Sequence, residues 1–586
     1  MPTELGPGWC RDERTLWYPM TETPRPPAPI EPAAAVPAAS ATVDPMVQPP
    51  ASATTSGKGG GMMRSSAIFS GMTLISRLAG FARDTVITGY LGASIGPAGD
   101  AYYTALNFPN LFRRIFAEGA FAAAFVPAYA RTLETEGQEA ADRVATDALA
   151  VIAAITVALT ILAQLTMPWI MTVMNSGFLD DPVRFKLAVV LTQITMPYLP
   201  CMAVAALLSG VLNARGRFIV SGAYPILLNL IMLAAVIPAT GGPIQAAYAA
   251  SWAVGIAGVA QAGLCWWAVR KAGANVRLSM PRLTGPVKAI IITAIPAAIG
   301  NSATQINVFI SQNLSSWVDG GRSWLSTADR LYQLPLGLVG VAIGIALLPR
   351  LSRAVASEDK GQQQSSMDEA MILSMALTLP AAAALMAMPY FLIDALFTRA
   401  AFLEVDARAT AGILLQFGWG VPAFVLIRIL SPAYFARRDT RSPMTFALVS
   451  VAVNAVLAIG LFNLGMGVAG IAAAVSASAW VNALLLAGRL WRRDLYRPGA
   501  AAISRLARIL LASAGLGAVV AAASWARPVY EAPIAELLAG IGSSHGAKEI
   551  SLLLVTGLGG LVYVGLAFAT RAVTIGEVRG LLRRGR

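Results

Sequence analysis

The chain has 586 residues, of which 56% are hydrophobic and only 13% charged, and its mean hydropathy is +0.63. Soluble domains carry about 25% charged residues, so a soluble globular enzyme and a disordered chain are both excluded and a polytopic membrane protein remains. The net charge of +13 would point to nucleic acid in a soluble chain; in a membrane chain it first marks a side of the bilayer.

Residues 1 to about 60 differ from the rest. The stretch PRPPAPIEPAAAVPAASATVDPMVQPPASATTSGKGGG is rich in Pro, Ala, Ser and Gly and has no apolar period, so it reads as a flexible tail. No basic segment followed by an apolar core marks it as a secretory signal.

From Ile68 onward, apolar runs of spanning length follow one another. A span needs about 20 apolar residues. The runs are continuous rather than alternating, which makes them helices and not barrel strands. They fall near 66–91, 98–131, 146–174, 187–213, 219–240, 244–270, 286–315, 323–350, 368–395, 409–436, 442–463, 467–491, 501–525 and 549–571, fourteen spans with both ends on one side. Alternate loops hold Arg131, Arg143, Arg215, Arg217, Arg270, Lys271, Arg277, Arg282, Lys288, Arg350, Arg353, Arg437, Arg438, Arg441 and Arg489 to Arg497, and the C-terminal tail is basic too. The opposite loops hold few positive charges, so the first side is assigned to the cytoplasm. The charge is thus a topology signal, and no nucleic-acid partner is expected.

An internal repeat is legible. Pro127 and Pro349 are 222 positions apart (349 − 127), as are Pro200 and Pro422, Arg215 and Arg437, and Arg270 and Arg492; Pro168 and Pro389 are 221 apart. The offset covers six spans, which predicts two six-helix lobes of the same topology related by an axis along the membrane normal. Spans 13 and 14 lie outside the repeat. The expected organisation is a disordered Pro/Ala-rich cytoplasmic tail at 1–62, an N-terminal lobe at 63–275, a C-terminal lobe at 276–498, and two extra helices with a basic tail at 499–586.

The residues that carry information are ionisable groups inside spans. Each costs ~2.5–3.5 kcal/mol at the bilayer centre, so such groups face a protein interior or a wet cavity. The first span carries Ser76, Arg77, Gly80, Arg83 and Asp84; a helix starting near Ser66 puts Arg77 about 16 Å deep. Arg77 and Asp84, seven apart, share a face. The second span carries Asp100, Asn110, Arg113, Arg114 and Glu118, with Arg114 and Glu118 at pairing distance in sequence. The eighth carries Asp329 and Arg330. Two readings fit. In one, arginines and carboxylates neutralise each other between helices. In the other, arginines from both lobes line a water-filled cavity and bind an anion. All five basic groups are Arg and none is Lys, as bidentate phosphate recognition prefers. The readings are compatible, with ion pairs holding the arginines when no ligand is bound.

Three cysteines, Cys10, Cys201 and Cys265, have no CxxC spacing, and His545 is the single histidine. They offer no disulfide framework and no zinc or haem ligand set. No metal and no cofactor is expected, and no catalytic residues are assigned. A membrane enzyme acting on prenyl phosphates would need clustered carboxylates or histidines at a membrane face, which are missing.

The segments SRLAGFARD at 76–84, GDAYYTALNFPNLFRRIFAEGAFAAAFVPAYA at 99–130 and ADRLYQLPLGLVGVAIGIALLPRLSR at 328–353 closely resemble the MurJ/MviN family of lipid II flippases. The resemblance covers about residues 62–586. It implies the fold of the multidrug/oligosaccharidyl-lipid/polysaccharide exporter superfamily, all-α, with two extra helices bordering a groove for a lipid tail. It implies transport of the undecaprenyl-diphosphate-linked peptidoglycan precursor from the inner to the outer leaflet of the cytoplasmic membrane, without enzymatic chemistry. By motif, Ser76, Arg77, Arg83, Asn110, Arg113 and Arg330 become substrate-binding candidates. Asp84, Asp100, Arg114, Glu118 and Asp329 become charged cavity or gating positions. Lipid II and membrane lipid are the implied partners, cell-wall synthesis proteins are further candidates, and a monomer is expected. Gln333 departs from the family, whose members can carry Glu there. Spans 7, 11 and 12 offer Asn301, Gln305, Asn307, Asn454 and Asn482 but no carboxylate, so a family sodium site using an acid in span 7 is not supported. The rival readings are a drug/cation antiporter and a flippase for another polyprenyl-linked oligosaccharide.

Overall fold

The computed structural model describes residues 9–11, 17–19, 59–112, 121–357, 359–540 and 546–572. The chain divides into two units, Met1–Val36 and Pro37–Arg586. In the first, β1 (Trp9–Arg11) and β2 (Trp17–Pro19) pair antiparallel with Cys10 opposite Tyr18. The stretch expected to be featureless thus contains a short hairpin. Trp, Cys and Tyr fit a pleated surface, a local preference hidden by the Pro/Ala bias around it.

The second unit is helical. It runs α1 (Gly59–Leu91), α2 (Ala98–Phe112), α3 (Phe121–Thr135), α4 (Gln138–Met174), α5 (Pro182–Thr195), α6 (Tyr198–Ala214), α7 (Phe218–Val236) and α8 (Pro243–Lys271). It continues with α9 (Gly285–Ser315), α10 (Gly321–Ala356), α11 (Lys360–Ala387), α12 (Pro389–Phe397), α13 (Glu404–Gly418), α14 (Val421–Phe435), α15 (Arg441–Leu461) and α16 (Gly467–Arg492), and ends with α17 (Ala500–Trp525), α18 (Arg527–Gly540) and α19 (Ala547–Ala569). Among the described residues, nine segments are long and apolar enough to cross a membrane. One of these, Arg441–Arg492, holds both α15 and α16, joined by a π turn where Gly465 has φ 92°. The other sequence-derived spans coincide with α1, α2–α3, α9 and α10, each of which includes residues outside the described set.

The repeat is visible in where helices start. α2, α4, α5 and α7 begin at 98, 138, 182 and 218, and α10, α11, α13 and α15 at 321, 360, 404 and 441, offsets of 222 or 223. Spans 4 and 10 each break into two helices, at Met196–Pro197 and Trp419–Gly420. Pro197, Pro200 and Pro422 lack the N–H that would carry the ladder through. Arg215 and Arg437, which follow these spans, donate to the carbonyls of Ala272 (3.3 Å) and Leu495 (3.5 Å), so each ties the end of the fourth helix of its lobe to the end of the sixth. One pair diverges: Pro168 lies inside the continuous α4, whereas Pro389 opens α12 after a break.

Two separate cores follow. One gathers buried apolar residues from Ile87 to Ile290, the other mainly from Ala328 to Tyr496. α9 packs against α3 and α4 of the first lobe, whose core takes in Val287 and Ile290, and against α15 and α16 of the second, so α9 bridges the lobes. α17 and α19 pack on the second lobe, through Leu516, Val520, Leu552 and Val555 against Met388, Phe391 and Ala395. α18 between them is an element that hydropathy misses, being short, proline-interrupted and acidic.

Candidate functional site

A cavity of about 170 Å³ lies among α1, α2, α6, α7, α8 and α10. It is therefore lined by both lobes. Its polar lining includes Ser76, Arg77, Arg83 and Asp84 from α1, Asn110 from α2, and Arg330 with Gln333 from α10. Tyr198, Ser221, Asn229 and Gln261 complete it from α6, α7 and α8.

Asp84 organises the charges. Its Oδ1 accepts from Arg83 Nε (2.9 Å) and Nη2 (2.6 Å), and its Oδ2 faces Arg330 Nε at 3.0 Å. One carboxylate thus joins guanidinium groups from two lobes. Helix geometry alone argues against side chains at adjacent positions meeting, yet the Arg83 guanidinium is long enough to fold back onto its neighbour. The Arg83 side chain is 6% exposed and that of Arg330 is 39% exposed, so Arg330 is the wetter of the two. Arg77, expected to share a face with Asp84, has no described carboxylate within ion-pair distance. Its Nη1 instead rests 1.9 Å from where a Cβ on Gly337 of α10 would sit, so a side chain at 337 would displace the guanidinium. Among the described residues, three arginines and one aspartate line the cavity, a surplus of two positive charges (3 − 1). The cavity thus holds an ion-pair bridge between the lobes and further guanidinium groups beside it.

Asp100 is not in this cavity. It is buried in α2 and accepts from the backbone of Gly320 (2.9 Å) and Ser323 (2.9 Å) and from the Ser323 hydroxyl (3.0 Å). A carboxylate from one lobe thus caps the helix N-terminus of the other. The sequence pattern suggests a cavity charge because Asp100 lies in a span; the cap exists only once α10 is brought beside α2. Gly99 is required at this junction, since a Cβ there would sit 2.2 Å from the Gly92 carbonyl oxygen and 2.6 Å from the Ser323 hydroxyl. Further bonds join the lobes at the same end. Arg184 pairs with Asp319 (2.5 Å), the Ser94 amide with Asp406 (3.1 Å), the Ala401 amide with the Gly89 carbonyl (2.8 Å), and Asn313 with Ser176 (3.0 Å). Asp329 likewise does not line the cavity; it accepts from Gln333 Nε2 at 2.5 Å one turn along α10. Arg113, Arg114 and Glu118 lie outside the described residues.

Sequence reasoning missed several members of the site. Asn229 sits in YPILLNLIML and Gln261 in GVAQAGL, single carboxamides in apolar runs, and that isolation was the available signal. Arg428, inside span 10, was missed as well; its Nη1 donates to the Leu336 carbonyl at 2.7 Å. In the α9, α15 and α16 region Asn454 Nδ2 donates to Asn307 at 3.0 Å, and among the described residues the carboxamide oxygens of Asn454 and Asn482 are buried acceptors without a hydrogen-bond donor. No carboxylate occurs in these three helices, so the acid of the family's sodium site has no counterpart here and no step is routed through an ion.

Comparison with known proteins places the fold and the family. A solved structure titled "Lipid II flippase MurJ, inward closed conformation" superposes with TM-score 0.68 at 23% identity, covering 86% of this chain and 99% of that one. An inward-facing multidrug resistance MATE family transporter of the MOP superfamily superposes with TM-score 0.59 at 16% identity, covering 73% of this chain and 98% of that one. These likenesses show the fold: an all-α polytopic membrane architecture of two six-helix lobes with two added helices. Among sequences, the "Probable lipid II flippase MurJ" of Rhizobium tropici is 40% identical over 88% of this chain and 96% of its own length. The "Lipid II flippase MurJ" of Burkholderia cenocepacia is 33% identical over 73% of this chain and 84% of its own. Since the profile of the family described as "Lipid II flippase MurJ" also matches residues 87–531, this multi-pass membrane protein belongs to the MurJ family.

Proposed function

We propose that the chain moves lipid II from the cytoplasmic to the outer leaflet of the inner membrane by alternating access, with the diphosphate held in the arginine cavity. One observation carries the reading: guanidinium groups from both lobes surround a single carboxylate and leave two positive charges over. A diphosphate linking lipid and sugar carries two negative charges, so the surplus matches the ligand. Arg supplies planar, forked donors suited to phosphate oxygens. Without such shielding, taking the diphosphate through hydrocarbon would be prohibitive.

The cycle follows from the inter-lobe contacts. The bonds around Asp100, Arg184, Asp406 and Asn313 close one end, which the loop charges assign to the outside, with both chain termini in the cytoplasm. The cavity then loads from the cytoplasmic leaflet. Binding bridges Arg77 and Arg83 to Arg330, drawing the lobes together on the loaded side and favouring release of the opposite contacts. An interior-negative potential assists the outward step, by about 4.6 kcal/mol per 100 mV for two charges. The lipid tail stays in the bilayer beside α17 and α19. These residues act by binding and conformational change, without bond chemistry.

The test is translocation of labelled lipid II by the protein reconstituted in liposomes, with Arg77→Ala, Arg83→Ala and Arg330→Ala beside wild type. Each substitution should lower the rate by at least tenfold. Wild-type rates in all three would remove the cavity from the mechanism. Competition by other polyprenyl-diphosphate glycans would widen the substrate class, whereas competition by cationic dyes alone would favour an antiporter.

A further inference from the structure

Asn229 is a buried cavity residue that holds one of the cavity arginines. It is 4% exposed in α7. Its Oδ1 accepts from Arg83 Nη1 at 2.9 Å, and its Nδ2 donates to the Ser76 carbonyl at 3.1 Å. Arg83 is therefore held from two sides, by the carboxylate of Asp84 and by a neutral carboxamide. The Met232 sulfur lies 3.8 Å from the same Nη1. The Asn229 amide also lies against Gly80, one turn after Ser76, where a Cβ would meet it at 3.7 Å, an ordinary contact.

The identity of the second acceptor matters because Arg83 already shares a carboxylate. A second carboxylate at 229 would satisfy Nη1 at least as well and would strengthen the local bond. It would also reduce the cationic surplus of the cavity from two to one. A carboxamide fixes the guanidinium while adding no charge. Its N–H end simultaneously ties α7 to the turn of α1 that carries Ser76 and Arg77.

We infer that Asn229 is a positioning residue for the diphosphate site, selected as a neutral acceptor that orients Arg83 while preserving the cavity's two-charge surplus. This inference rests on the proposed function, and it makes a prediction opposite to that of a merely structural role. If Asn229 only braced Arg83, Asn229→Asp would be the mildest change, because it keeps the acceptor. If neutrality is the point, Asn229→Asp is worse than Asn229→Ala, and moving the charge back rescues it.

The experiment measures lipid II translocation and thermal stability of the full-length protein in liposomes for wild type, Asn229→Ala, Asn229→Asp, Asp84→Asn, and the double variant Asp84→Asn/Asn229→Asp. Expected are a threefold to tenfold loss for Asn229→Ala, a loss above tenfold for Asn229→Asp with stability near wild type, and recovery by the double variant to at least three times the Asn229→Asp rate. An Asn229→Asp rate equal to or above that of Asn229→Ala overturns the inference, and so does a folded double variant no faster than Asn229→Asp alone. If wild type itself moves no lipid II, the proposed function fails instead, and the two failures are distinguishable.

Discussion

At Asp84 two guanidinium groups from different lobes share one carboxylate, and this local arrangement separates stability from binding. Arg83 and Asp84 are both nearly buried, so removing the acid leaves Arg83 without its counter-charge. Breaking a buried pair from one side costs about 3–5 kcal/mol. Asp84→Asn is therefore expected to lower thermal stability measurably in detergent, by an amount toward the lower end of that range because its amide oxygen still accepts. Arg77 makes no described ion pair, so Arg77→Ala is expected to melt within a degree or two of wild type while losing transport. A large loss of stability in Arg77→Ala would show that its role is structural. At Gly337, a Cβ would fall 1.9 Å from Arg77 Nη1, so a side chain there would push the guanidinium out of place. Gly337→Val should reproduce the transport defect of Arg77→Ala with Arg77 still present, measured in the same liposome assay.

Between elements, the end of α2 acts as a cap for α10. Asp100 satisfies the backbone of Gly320 and Ser323, donors that the first turn of a helix otherwise leaves unpaired. Loss of such a cap costs about 1–2 kcal/mol. Because the capped helix belongs to the other lobe, that energy acts on the closed end rather than on either lobe's fold. Asp100→Ala should raise the labelling rate of a cysteine placed at Ser94 from the outer face, and should lower the melting temperature as well, because Asp100 also pairs with the nearly buried Arg184 at 3.7 Å. An unchanged labelling rate would mean the cap does not hold this end shut. A comparable clamp holds the two added helices. Asp394 of α12 is buried and pairs with Arg527 (2.5 Å) at the start of α18 and with Lys548 (2.9 Å) at the start of α19. The Arg527 guanidinium also stacks over the Phe391 ring, 4.5 Å from its centroid. Asp394→Ala is expected to increase hydrogen exchange in α18 and the first turn of α19 ahead of any change in the two main cores.

Over the whole helical unit, alternating access requires the closed end to separate while both lobes keep their own cores. The lobe cores are distinct, and bonds such as Ser176–Asn313 and Gly177–Ser316 cross between them. A cysteine pair at Ser176 and Asn313, oxidised to a disulfide, should arrest translocation, with recovery on reduction. Undiminished transport by the cross-linked protein would exclude separation at this end. α9 packs against both lobes, so its two halves are where a rocking motion would have to be absorbed.

The sequence alone determined the membrane class, the helix spacing and the duplication, because hydropathy and proline spacing are properties of neighbouring residues and survive without a fold. It also pointed to Arg77, Arg83 and Arg330, since a charge inside an apolar run is costly wherever it ends up facing. Which groups face one another was decided only by tertiary packing. The sharing of Asp84 between Arg83 and Arg330, the acceptor role of Asn229, the space that Gly337 leaves for Arg77 and the cap supplied by Asp100 each join residues far apart in the chain. Local pattern cannot encode such pairings; they arise when two similar six-helix lobes meet, and that meeting sets both the surplus charge and the contacts that hold one end closed.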